Sequence, residues 1–60
     1  MCEYKVYLNG KLAYEDIVYA RVEGSYVILR DALGREIKLE GYEIVEVDSF
    51  KEKLTLKSRG

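Results

Sequence analysis

Cys2-Glu3-Tyr4-Lys5-Val6-Tyr7-Leu8-Asn9-Gly10 is the stretch that decides the fold of this chain. Cys2, Tyr4, Val6 and Leu8 fall on one face, and Glu3, Lys5 and Tyr7 on the other. A period of two is the signature of a half-buried strand. Asn9-Gly10 follows at once, and both residues tolerate the positive φ that a tight hairpin turn requires. The opening is therefore a strand running into a reversal.

Read outward from there, the period of two persists to the end of the chain. Lys11-Leu12-Ala13-Tyr14 is short and reads either as a return strand or as a loop. Ile17 to Glu23 is the next clear strand, with Val18, Ala20 and Val22 expected inward and Tyr19, Arg21 and Glu23 outward. After the turn at Glu23-Gly24-Ser25 comes Tyr26 to Arg30, with Val27 and Leu29 inward. Asp31-Ala32-Leu33-Gly34 is a turn, and Arg35 to Glu40 alternates again around Ile37 and Leu39. Gly41 interrupts the pattern, as at a bulge or bend. Tyr42 to Asp48 and Lys53 to Lys57 complete the set, with Val45, Val47, Leu54 and Leu56 expected in the core. Helix over 14–20 or 50–57 is disfavoured, because the β-branched residues there alternate better than they wind. Five or six short strands with turn residues between them fit an all-β fold, a small antiparallel barrel of SH3-like type.

Sixty residues allow one domain, expected to span 1–60. A chain of this size buries only about 60% of the surface it exposes when unfolded, so its core is small. Such domains commonly add a disulfide, a metal or a second subunit. One cysteine excludes an internal disulfide and leaves the other two routes open. No stretch has the apolar run of a secretory signal or of a membrane span. A free thiol then fits a reducing, cytoplasmic setting and no membrane partner. Ten Lys and Arg face 11 Asp and Glu, for a net charge of -1. That balance opposes a polyanion partner, which calls for a basic excess.

Cys2 is the first candidate for chemistry. Its place on the face of Tyr4 and Val6 reads as a small buried hydrophobe at a strand end. The other reading is a metal ligand, since a thiolate is a soft donor. One thiolate per chain is too few for a site. A two-fold dimer that joins two Cys2 residues doubles the sulfur, and neighbouring backbone or terminal nitrogens add two more donors. A planar nitrogen–sulfur set suits Ni(II) or Cu(II).

The remaining candidates are weaker. The carboxylates Glu15, Asp16, Glu43, Glu46 and Asp48 alternate with apolar residues or lie in turns, with no histidine beside them. They read as solvated surface. Tyr7, Tyr19 and Tyr26 stand near Lys5, Arg21 and Arg30 in the pattern, and small barrels do stack bases on aromatics set among cations. The net charge opposes that reading. No phosphate-binding glycine motif occurs.

Several segments together resemble one family. Met1-Cys2 leads into the strand Lys5-Val6-Tyr7-Leu8, and Glu15-Asp16-Ile17-Val18 enters the second strand. Leu29-Arg30-Asp31-Ala32-Leu33-Gly34-Arg35-Glu36 matches a central hairpin, while Ile44 to Asp48 and Leu54 to Leu56 match the closing strands. In this order they resemble the CooT family of small nickel-binding proteins, over nearly the whole chain.

The resemblance implies an SH3-like or Sm-like β-barrel that forms homodimers. It implies Ni(II) bound between two subunits through Cys2, and a role as metal carrier or sensor, not as an enzyme. Its partner would be a nickel enzyme such as carbon monoxide dehydrogenase, or the maturation machinery of one. Some members were first described as RNA-binding proteins, so an RNA-binding or protein-interaction barrel without metal is the alternative. Two departures stand out. Ala32-Leu33 replaces an expected Leu-Phe pair, and the histidine tract of many nickel chaperones is absent.

Overall fold

The computed structural model describes residues 3–60. They form an all-β fold with six strands: β1 (Tyr4–Leu8), β2 (Lys11–Glu23), β3 (Tyr26–Asp31), β4 (Glu36–Glu40), β5 (Tyr42–Asp48) and β6 (Lys53–Ser58). All six belong to one sheet, in the order β4-β3-β2-β1-β6-β5. The alternation that defines the strands in the sequence is thus expressed as strand throughout.

The first reversal forms as its residues dictate, with Asn9 at φ 51 and Gly10 at φ 86. Lys11 to Tyr14 belongs to the return strand and not to a loop. β2 runs unbroken from Lys11 to Glu23, pairing first with β1 and then with β3. It manages both by being irregular. The register with β1 shifts twice, and the register with β3 shifts again between Ile17 and Tyr19. Asp16, at φ 59, stands within this kinked stretch. Bulges of this sort bend a strand and increase its twist.

One pairing departs from the antiparallel expectation. β1 and β6 are parallel, with Val6 opposite Leu54 and Leu8 opposite Leu56. Side-chain periodicity is the same for both strand directions, so a period of two carries no information about it. The crossover that a parallel pair needs is supplied by β2 to β5.

The two ends of the sheet, β4 and β5, are consecutive in the chain and separated by Gly41 alone. A flat sheet of six strands would be about 24 Å across. A single residue spans that distance only if the sheet curls back on itself. Gly41 makes the corner at φ 82, its N–H donating to the Ser25 carbonyl (3.0 Å) while its own carbonyl accepts from Arg59 N–H (2.8 Å). β5 comes back against β3 across the core. β4 and β5 are not hydrogen-bonded neighbours, so the curled sheet stays open along that seam.

Val6, Ile17, Val27, Leu29, Leu54 and Leu56 form the buried core. Tyr4, Leu8, Tyr14, Ile37, Leu39, Tyr42 and Ile44 pack around it. The inner assignments of Val6, Val27, Leu29, Leu54 and Leu56 are met. Those of Val18, Ala20, Val22, Val45 and Val47 are not, since all five are exposed. Val18 lies at the register shift of β2, and Val45 at the shift of β5 between Ile44 and Glu46. A bulge adds one residue and breaks the alternation at that point. Val22 and Val47 keep the core-side register, opposite Val27 and Leu54. They lie where the curled sheet has no further layer to cover them.

Ile28 is buried on the other face. Its cross-strand neighbours there are Arg21 and Lys38. Around it, the Arg30 guanidinium lies 4.3 Å from the Tyr19 ring centre and the Lys38 ammonium 4.5 Å from that of Tyr26. Cation–aromatic pairs of this kind let long polar side chains shelter an apolar one.

Candidate functional site

Cys2, the single side chain expected to hold a metal, lies outside the described residues. What is described is the platform that carries it. Tyr4 opens β1 opposite Ile17, and the N–H of Lys5 donates to the Glu52 carbonyl (2.9 Å). The strand entry is therefore anchored on one side to β2 and on the other to the β5–β6 turn.

Two concavities flank this entry. The first is a groove of about 290 Å³ lined by Tyr4, Ile17, Val18, Tyr19, Ala20, Ile44, Val47 and Leu54. No charged side chain lines it. It lies where β2 and β5 diverge over the core, and the bulges of both strands fall at its edge. The second is polar, lined by Glu3, Glu15, Asp16, Asp31, Ala32, Leu33 and Arg35.

Asp31 organises the second. It is 8% exposed, and its Oδ1 accepts the backbone N–H of Leu33 (3.0 Å) and of Arg35 (2.9 Å). Its Oδ2 accepts from Arg35 Nε at 2.7 Å. The Arg35 N–H is the main reason the carboxyl is held below its ordinary value of 3.8, with burial acting in the opposite direction. The Arg35 side chain is 74% exposed, so solvent screens the ion pair. The two backbone donors fix the geometry. Asp31 is thereby spent on clamping the β3–β4 turn.

The carboxylates read as surface behave that way. Glu15, Asp16, Glu43 and Glu46 are exposed, and Asp48 Oδ1 accepts from the N–H of Lys51 (3.0 Å) in its own turn. Among the described residues no three Asp or Glu side chains converge to hold a metal ion. Tyr7, Tyr19 and Tyr26 do stand on the outer face, but each ring is already held by a cation: Lys53 at 4.7 Å, Arg30 at 4.3 Å and Lys38 at 4.5 Å. Glu36 lies opposite Arg30, and Glu23 and Glu40 both lie opposite Tyr26. This is a mosaic of both signs and not the continuous basic stripe that a nucleic-acid backbone requires.

Sequence periodicity missed the groove. Its signal was present in the surplus of valines, since a chain this small has more β-branched residues on its inner faces than it can enclose.

The fold and its groove define a small all-β domain with an anchored amino-terminal strand and an apolar surface beside it. A family model described as CO dehydrogenase accessory protein CooT matches residues 1–57, so the chain belongs to the CooT family. The match starts at residue 1 and therefore includes Met1-Cys2. Among curated individual proteins, none matches the chain. The described residues contain no helix long and apolar enough to cross a membrane.

Proposed function

We propose that this protein is a cytoplasmic nickel carrier or sensor, an accessory to a nickel enzyme or its maturation machinery, and not itself a catalyst. Its cargo is Ni(II), held by Cys2 of two copies of the chain across a homodimer interface. The observation that carries this reading is membership of an accessory-protein family through a match that includes the Met1-Cys2 start. The described residues offer no competing cluster of ligands. Within the CooT family, carbon monoxide dehydrogenase is the natural candidate for the acceptor.

The chemistry follows from the donor set. Two thiolates neutralise the charge of a divalent ion, and adjacent nitrogens complete a planar field of the kind Ni(II) favours. With sulfur from only two residues, the site is open enough to release its ion to a better-organised acceptor. Protons compete for the thiolates, so binding weakens in acid. Tyr4 lies only two residues beyond Cys2 and forms part of the groove wall. A second copy packed there would place the two amino termini near each other.

Titration with Ni(II) tests the reading. Sulfur-to-nickel charge-transfer absorption should saturate at about one metal per two chains and be absent in Cys2→Ser protein. Equal nickel binding by both proteins would overturn it. The alternative of a nucleic-acid barrel has the mixed-charge outer face against it.

A further inference from the structure

β5 ends the sheet, with β6 on one side and, among the described residues, no strand on the other. Its pairing with β6 runs the full length, from Tyr42 opposite Ser58 to Asp48 opposite Lys53. Backbone groups on the far side of β5 have no strand to meet. Glu43, Val45, Glu46 and Val47 are all exposed, so this edge faces water. An unpaired edge of this kind is a template for a further strand.

The side chains of β5 say which strand. It carries three acids and no cation. Glu43, Glu46 and Asp48 stand on the outer side of the sheet, opposite Lys57, Thr55 and Lys53. Asp48 caps its own turn, and Lys53 lies over the Tyr7 ring. Among the described residues, neither Glu43 nor Glu46 has a cation within ion-pair distance. On the inner side, Ile44 and Val47 line the uncharged groove, and Val47 is 62% exposed although it stands opposite Leu54.

We propose that the free edge of β5 is a docking edge for an extended segment of a partner protein in which Lys or Arg alternates with apolar residues. This goes beyond the nickel reading and uses neither Cys2 nor a metal. Three arguments carry it.

The first is the backbone. Only an extended chain matches a row of strand donors and acceptors, and β5 is already held straight by β6, so little order has to be created on binding. The second is complementarity. Side chains of an added strand alternate between the two sides of the sheet. One set meets Glu43 and Glu46, which lack cations, and the other meets Val47 at the rim of the groove. The third is exclusion of the alternatives. Two β5 edges paired with each other would place acids against acids, and like charges directly opposite are destabilising. At β4, the other edge, Glu36 is 3.6 Å from Arg30 and Lys38 lies over Tyr26, so both already have partners on β3.

Nuclear magnetic resonance of the full chain, free of metal, tests the edge. The probe is an amidated seven-residue peptide in which lysine alternates with valine. It should shift the β5 amides and slow the exchange of alternate N–H groups along that strand. A peptide of the same charge with proline in place of valine cannot pair and should leave that exchange unchanged. Glu43 and Glu46 are exposed, so Glu43→Lys/Glu46→Lys protein should keep the native circular dichroism spectrum. Its affinity for the valine peptide should fall by about tenfold. No shift at about 1 mM peptide overturns the proposal. So does equal protection by the proline peptide, or protection along β4 instead of β5. Protection of β5 that grows with protein concentration before any peptide is added would mean that a second copy sits there, and would overturn the choice of partner.

Discussion

At the residue scale, Asp31 is the side chain whose surroundings make the clearest demand. Its carboxylate accepts two backbone N–H groups and the Arg35 guanidinium within the turn that joins β3 to β4. These donors favour the charged form, so the folded protein lowers the Asp31 pKa. A lowered folded pKa means stability that is present above the ordinary value of 3.8 and lost as the pH falls through the depressed one. Asp31→Asn should therefore lower the melting temperature at pH 7 by on the order of 5 °C. The gap between variant and native protein should narrow below about pH 4. Thermal melts across pH 2–7 check this, and a constant gap would show that the carboxylate charge is not what holds the turn. Asn9 has a quieter role. Its Oδ1 accepts from the Ser58 N–H (2.9 Å), which ties the first hairpin to the end of β6.

At the scale of elements, β2 is the decisive one. A regular strand of 13 residues cannot pair with β1 at one end, with β3 at the other, and still curl around a core of this size. The register shifts let it turn, and they also choose which valine or isoleucine is enclosed. Ile17 is buried and Val18, its neighbour, is not. Ile17→Ala should cost about 2–4 kcal/mol in urea unfolding, as expected for a cavity in a packed core. Val18→Ala should cost less than about 1 kcal/mol, since that side chain is already in contact with water. Equal costs would mean that the bulge does not sort the two residues. Strand content, turn positions and the outer-face placement of Tyr19, Arg21 and Glu23 were legible in the alternation. The bulges were not, because one inserted residue leaves a short pattern looking almost unchanged.

At the scale of the whole molecule, the sheet has an open seam and an uncovered apolar groove. β4 and β5 meet at Gly41 without pairing, and the valines along β2 and β5 have no covering layer. A 60-residue chain has little core to spare, and the proposed homodimer, if it covered such a surface, would gain stability through mass action. The melting temperature of the native protein should rise with protein concentration, while that of Val47→Lys should stay constant. Calorimetry over a hundredfold range of concentration measures the difference, and the same slope for both proteins would speak against a stabilising interface at the groove.

By itself the sequence determined an all-β chain, most of its buried residues, the tight turn at Asn9-Gly10 and, through the order of its segments from Met1-Cys2 to Leu54–Leu56, a family resemblance. All of these rest on local information: a period of two, backbone freedom at particular residues, and the chemistry of one thiol. Only the tertiary structure decided that β1 and β6 run parallel, that β4 and β5 meet at a corner, and that Val18, Val22, Val45 and Val47 remain uncovered. Those outcomes depend on how a bent sheet distributes a limited interior among more apolar side chains than it can enclose. No single segment contains that competition.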